Sequence, residues 1–242
     1  RFIVSDEPTI QTIAAGVSLA RQAGCQVVIG LGGGSAIDTG KAIAALVPAS
    51  RPMLDHLEVV GHARALDLLA EWLDRETPLG ESELFALHEA VQTQVVTDIF
   101  APVGRWKVEP NGASFYRDGR LQFNDTYADP RDVPALMADW LTLAADRRGR
   151  ALSPDEACAA YVDLHAGFVR VHPFADGNGR LARLVANIPV LEAGFPPIIV
   201  PRERRPEYIA ALATWQTRAG KATPERGLLP LREALGALEA IC

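Results

Sequence analysis

The run "HPFADGNGRLARLV", from His172 to Val185, constrains this chain more than any other stretch. Upstream of it, Tyr161, Leu164, Phe168 and Val171 fall on one face of a helical pattern. That pattern starts at Pro154, behind a Ser153 placed as its cap. His172 precedes Pro173, and a residue before proline is turned away from the helical region, so the helix ends there. Phe174 is the apolar anchor of the loop that follows, and Gly177 and Gly179 give its backbone freedom. A second helix opens at Asn178. Its first-turn N–H groups face the glycine loop, which makes the junction a nest for an anion.

The side chains around the nest specify the anion. Arg180 and Arg183 are three residues apart and share one face of the second helix. Two guanidinium groups there suit a polyphosphate better than a single carboxylate. Asp176, at the mouth of the loop, is a ligand of the kind magnesium takes when it bridges phosphate oxygens. His172 titrates near neutral pH in its ordinary state and can accept a proton from an incoming hydroxyl. A packed interior has no use for two arginines, an aspartate and a histidine around two glycines.

A second glycine-rich run, "GLGGGSAIDTGKA" (Gly30–Ala42), follows a short apolar strand, "CQVVIG", and precedes a helical pattern over 36–46. It fits neither sharp phosphate template. A P-loop requires glycine where Ser35 stands and a hydroxyl where Ala42 follows Lys41; the dinucleotide pattern G-x-G-x-x-G also meets Ser35 at its third glycine. Strand, glycines and helix start still form a generic anion cradle. An amphipathic helix over 7–23 precedes it, and the "PASRP" break at 48–52 marks a boundary. The expected organisation is therefore a truncated, dinucleotide-domain-like α/β fragment over 1–48 and a helical domain over 49–242. Helices are expected at 54–74, 81–95, 133–146, 154–171, 178–193 with a kink at Pro189, 207–219 and 229–241. Asn111–Gly112 and Asp118–Gly119 punctuate aromatic stretches between Trp106 and Tyr127, which reads as a hairpin.

Composition narrows the partners. The net charge of −6 over 242 residues provides no basic field for nucleic acid, and no apolar run reaches the length of a membrane span. Cys25, Cys158 and Cys242 are far apart and odd in number, which reads as reduced thiols in a cytoplasmic protein.

His172–Arg183 resembles the signature of the Fic family, H-P-F-x-[D/E]-G-N-G-R-x-x-R, at every fixed position. The resemblance runs over roughly 53–220 and includes "LFALHEAV", "GRW", the hairpin stretch, "VPALMADWL" and "GFPPIIV". It implies a mainly α fold, a Fic-type helical bundle with a β-hairpin flap, here preceded by the small α/β fragment. It implies a protein adenylyltransferase that moves AMP from ATP onto a tyrosine, serine or threonine hydroxyl of a target protein and releases pyrophosphate. By the same resemblance His172 is the base and Asp176 the Mg2+ ligand. Asn178 and the amides of Gly177 and Gly179 hold the α-phosphate, and Arg180 and Arg183 hold the outer phosphates. The flap, within 107–127, docks the target segment by strand addition. Many members restrain themselves with [S/T]-x-x-x-E-[G/N]. Glu58 stands at about that place with Leu54 in the hydroxyl position, so an inhibitory role and a plain solvated glutamate both remain open.

Residues 2–47 are similar to part of the cofactor domain of the iron-containing alcohol dehydrogenase family. That similarity implies NAD(P) contact by Gly32, Gly33, Gly34 and Ser35. The family's metal site, one aspartate and three histidines, has no counterpart, and one helix, strand and loop cannot make a doubly wound sheet. Two alternatives accompany the transferase reading: a nucleotide-binding regulatory module with little turnover, and an NAD(P)-binding, dehydrogenase-derived protein. Among single residues, His165 reads as a packed core histidine and His56, His62 and His88 as structural or exposed. Tyr208 and Trp215 read as core, with Tyr208 also able to wall an adenine pocket.

Overall fold

The computed structural model describes residues 3, 9–25, 28, 39–40, 43, 51–74, 78–92, 102–117, 120–124 and 126–241. Residues 10–11, 51–59, 74, 113–117 and 120–124 are described by their backbone alone. The chain divides into two compact units, Arg1–Val60 and Gly61–Cys242. In the first, α1 (Ile10–Gln22) starts at Thr9, whose hydroxyl oxygen accepts the Thr12 N–H at 3.1 Å. Val17, Ala20 and Ile43 bury together. The expected strand at 25–30 and the glycine-rich run, with Gly32, Gly33, Gly34 and Ser35, lie outside the described residues apart from isolated positions. The unit boundary falls within α2 (Arg51–Asp74). Glu58 belongs to this helix, and its side chain lies outside the described residues.

The second unit holds α3 (Glu81–Gln92), β1 (Ala113–Arg117), β2 (Arg120–Asn124), α4 (Val133–Arg147) and α5 (Pro154–Val171). It continues with α6 (Asn178–Val185), α7 (Ile188–Glu192), α8 (Arg205–Ala219) and α9 (Gly236–Glu239). β1 and β2 pair antiparallel, from Ala113 opposite Asn124 to Arg117 opposite Arg120.

α5 is the central element. It contacts α4, α6, α7 and α9, and its buried residues cover every face rather than one stripe. It starts with a capping box: the Ser153 hydroxyl accepts the Glu156 N–H at 3.3 Å, and the Glu156 carboxylate accepts the Ser153 N–H at 2.8 Å. Trp140 on α4 is fully buried and donates its indole N–H to the Leu164 carbonyl at 2.8 Å. Asp163, a charge on a helix with no solvent face, is paired with Arg147 at 2.9 Å and with Arg232.

Two expectations change. The helix expected over 178–193 is two helices, α6 and α7, broken at Ala186–Asn187. The buried Asn187 side chain donates to the Arg183 and Ile198 carbonyls, at 2.9 and 3.1 Å, and accepts the Ile198 N–H at 2.7 Å. A side chain thus replaces the helical ladder just before Pro189, whose missing N–H could not have continued it. The helix expected over 229–241 is absent as one element. Leu231 takes a left-handed conformation (φ 57°), a 3-10 turn spans Arg232–Leu235, and only α9 follows. The Pro230 carbonyl is held by the Trp215 indole at 3.1 Å, so the chain is tied to α8 where the helix was expected to begin.

The cap at Ser153 and the loop at His172 lie at opposite ends of α5, roughly 27 Å apart by helical rise. Ser153→Ala should therefore lower stability by ~1 kcal/mol, read as a lower urea midpoint at constant slope, and leave the loop at the far end unchanged.

Candidate active site

α5 delivers His172. Its N–H still bonds back to the Phe168 carbonyl at 2.9 Å, but its backbone is left-handed, with φ 52° and ψ 59°. Few non-glycine residues sit there, and such strain persists only when neighbours enforce it. Phe174, two residues on, is fully buried among the rings of Phe85, His88, Trp106 and Phe168. Its backbone is held by Asn178: Phe174 N–H donates to Asn178 Oδ1 at 2.8 Å, and Asn178 Nδ2 donates to the Phe174 carbonyl at 2.7 Å. The same Nδ2 lies 3.1 Å from His172 Nδ1. Gly177, with φ 75°, precedes α6 directly, and a Cβ there would lie 2.8 Å from Gln92 Nε2. Glycine is required on both counts.

The structure brings His172, Asp176, Gly177, Asn178, Gly179, Arg180 and Arg183 into one loop and the first two turns of α6. Arg180 reaches Gln92 Oε1 at 3.2 Å and the Asp176 carboxylate at 3.4 Å. Arg183 lies close over Gly179, and its charge reaches His62 and His165. The α6 N–H groups of the first turn have no partner within the helix, and they open beside these guanidinium groups. Burial alone would raise the Asp176 carboxyl. The Gly177 N–H, the Gln92 side chain and the charge of Arg180 outweigh it and hold the group below its ordinary value.

Several contributors were not singled out in the sequence. Tyr127, 7% exposed, stacks flat on His172 with ring centres 3.9 Å apart and planes within 6°. Burial, with Tyr208 nearby, pushes its hydroxyl up to about 12. Lys107 is buried, donates its N–H to the Pro173 carbonyl at 2.9 Å, and bonds through Nζ to Asn111 Oδ1 at 2.7 Å. Asn111 in turn donates to the Phe174 carbonyl at 2.7 Å. Burial, against Asp129 and with Lys221, lowers the Lys107 amine to about 8.

His88 is neither exposed nor idle. Its Nδ1 accepts the Gly104 N–H at 2.9 Å, so its proton is on Nε2, 3.1 Å from the Asp176 carbonyl. It stacks on Phe174 at 4.0 Å and so fixes the loop to α3. His165 lies in the core and bonds through Nε2 to the Tyr208 hydroxyl at 2.7 Å. Tyr208 is buried alongside it. No local sequence signal marks Tyr127, Lys107, Asn111 or His88 as loop partners, because each reaches the loop from a distant part of the sequence.

Residues 78–189 match the family model described as Fic/DOC family. Over these residues, a little under half of its length, the chain is similar to Fic/DOC domains. Protein adenylyltransferase fic-1 of Caenorhabditis briggsae is 47% identical over 78 residues, 32% of this chain and 14% of its own length. Protein adenylyltransferase Fic of Drosophila willistoni is 28% identical over 157 residues, 64% of this chain and 28% of its own. The chain thus spans well under half of these curated relatives. A solved Fic-domain-containing signaling protein from Bacteroides thetaiotaomicron superposes with a TM-score of 0.62 at 28% identity, covering 78% of this chain and 69% of that one. The mainly helical Fic fold is therefore shared. Residues 3–70, ahead of the Fic domain, match the model described as iron-containing alcohol dehydrogenase.

Burial opposes protonation of three histidines in the second unit. Burial lowers His88 to about 4, against Asp176 and with Arg180. Burial and then Arg183 lower His165 to about 3. Burial and then Lys107, against Asp176, lower His172 to about 3. Each folded value lies below the ordinary 6.5, so below pH 6.5 the unfolded chain binds more protons. Stability should be complete above about pH 6.5 and decline toward the folded values, by ~1.4 kcal/mol per pH unit for each such histidine. Urea titrations between pH 7.5 and 4.5 should show this decline, and His165→Leu should flatten it.

Proposed function

We propose that this Fic domain transfers AMP from ATP to a tyrosine, serine or threonine hydroxyl of a target protein. The observation that carries the reading is a neutral imidazole, His172, at the mouth of a glycine-hinged helix N-terminus flanked by Arg180 and Arg183. The N–H groups of Gly177, at the N-cap, and of Gly179, in the first turn, with Asn178, receive the α-phosphate, the Gly177 N–H exchanging its Asp176 partner for the phosphate. Arg180 and Arg183 receive the β- and γ-phosphates. The hydroxyl proton passes to His172 as the oxygen bonds to the α-phosphorus. The bond from that phosphorus to the bridging oxygen breaks, and its electron pair leaves on pyrophosphate. Because burial keeps His172 unprotonated, it is available as a base well below neutral pH.

The donor set fits magnesium. The Asp176 side chain is 76% exposed and its carboxyl is held in the ionised form, a hard oxygen ligand at the loop mouth. Among the described residues no group of three or more His, Cys, Asp or Glu is placed to hold a metal, so phosphate oxygens would complete the coordination. When bound, Mg2+ neutralises charge on the phosphates.

The β1–β2 hairpin serves as the flap on which the target segment lies, by strand addition. We assign residues 49–242 to the catalytic domain and 1–48 to a dinucleotide-domain-like α/β fragment. Glu58 is a candidate restraint on nucleotide binding, and Glu58→Gly tests it by raised transfer. Cys25 and Cys158 are free thiols, and no described helix is long and apolar enough to cross a membrane; we place the protein in the cytoplasm. The dehydrogenase match over 3–70 supports a second reading, NAD(P) binding through Gly32–Ser35, which NADH fluorescence tests directly.

Incubation with ATP, magnesium and a cell lysate, followed by mass spectrometry, should find an adenylyl group on hydroxyl side chains. His172→Ala should reduce that transfer by ~10²–10⁴ while ATP still binds. Bound ATP with no transfer by the unmodified chain would move the assignment to a nucleotide-binding regulator.

A further inference from the structure

The hydrogen bonds around Asn178 fix more than the loop's shape. A backbone N–H can only donate, so the Asn178 atom 2.8 Å from Phe174 N is the amide oxygen. The other terminus is therefore the NH₂ group. One of its hydrogens goes to the Phe174 carbonyl at 2.7 Å. The other is directed at His172 Nδ1, 3.1 Å away. An N–H directed at Nδ1 requires a lone pair there, so the neutral imidazole carries its proton on Nε2. The ring's single lone pair is thus occupied by Asn178.

Packing also opposes turning the ring over to expose it. A flip about the Cβ–Cγ bond sweeps the ring edge through the plane of whatever covers its face. Tyr127 covers that face at 3.9 Å and within 6° of parallel, and is itself 7% exposed. Asn178, 2% exposed, is fixed by both Phe174 bonds. The groups facing His172 are then Tyr127 on one ring face and Asn178 at Nδ1, with the charges of Lys107 and Asp176 in range.

We propose that His172 rests as a masked base, its lone pair capped by Asn178, and that an anionic phosphate oxygen arriving at the start of α6 unmasks it by taking the Asn178 N–H. This rests on the nucleotide reading of the site. The phosphate oxygen is a charged acceptor and competes well against a neutral imidazole for one amide hydrogen. Once Nδ1 is released, the neutral ring can carry its proton on either nitrogen, and a lone pair becomes available to the target hydroxyl. The base is then competent only when the donor nucleotide is in place, which protects a hydroxyl or water from activation without a phosphate to attack.

Nitrogen NMR of the full chain, labelled at histidine, tests this, with the His172 signals assigned by their loss in the His172→Ala protein. Without ligand, His172 should show a single tautomer, protonated at Nε2, with Nδ1 at its hydrogen-bonded acceptor position. Saturation with the non-hydrolysable α,β-methylene analogue of ATP should move the Nδ1 signal away from that position, and adenosine should not. The Gly179 amide signal reports binding independently. Analogue binding with His172 Nδ1 unmoved overturns the masked base and leaves the transferase reading standing; absence of binding overturns both. A ligand-free ring protonated at Nδ1 also overturns the proposal. Tyr127→Leu should give mixed tautomers without nucleotide, whereas Tyr127→Phe, which keeps the stack, should retain one. Mixed tautomers in both variants, or in neither, would remove Tyr127 from the lock.

Discussion

Asn178 meets both backbone groups of Phe174, and the arrangement of the site depends on that reciprocal pair. A buried N–H and a buried C=O each need a partner, and leaving either unpaired costs roughly 1–3 kcal/mol. Here one amide side chain supplies both, at 2.8 and 2.7 Å, four residues along the chain. The loop between is closed into a fixed ring, with Gly177 at φ 75° permitting the turn. The Phe174 ring, buried among four others, prevents the closed loop from lifting off the core. Hydrophobic burial sets where the loop sits, and the amide sets its shape. His172 at one end and the α6 N-terminus at the other acquire their separation from these two facts together.

The loop is also tied from outside, by residues that contribute no chemistry of their own to a phosphate. His88 holds the Asp176 carbonyl, Asn111 holds the Phe174 carbonyl, and the Lys107 N–H holds the Pro173 carbonyl. Three successive parts of the loop thus have partners on three distant positions of the chain. The left-handed backbone at His172 is supported by the same connections. Strain of this kind, of order 1–3 kcal/mol, would relax in an unsupported loop.

Sequence reasoning reached α5, the loop, the start of α6 and the Phe174 anchor, because these are local. Helical spacing, a proline after His172 and two glycines are read within a few residues of one another. It missed His88, Gln92, Asn111 and Tyr127 as loop partners, because their spacing from the loop carries no periodic signal. A histidine on an amphipathic helix looks the same whether it faces water or the underside of a loop. The sequence marks a kink at Pro189 but not the break at Asn187, since a side chain that replaces the helical ladder leaves no mark in hydrophobic pattern. At 229–241 the apolar spacing was helical, but a tie from Trp215 to the Pro230 carbonyl and an ion pair from Arg232 to buried Asp163 prevail over propensity.

The electrostatics of the site follow from the same packing. Burying Lys107 beside His172 places a cation where it opposes protonation of the imidazole, and burial itself acts in the same direction. Asp176 acts against both, yet its carboxylate is turned to solvent and toward Arg180, where water screens it. The balance is a neutral ring next to a cluster of fixed cations and helix N–H groups. On the proposed reading a polyanion enters this cluster beside the Asp176–Arg180 contact. An imidazolium formed there would face an Asn178 N–H and an ammonium, both unfavourable, until the anion's charge compensates them. On the proposed reading, proton acceptance and phosphate binding would be coupled through charge as well as through the Asn178 hydrogen bond, with the same sign in both.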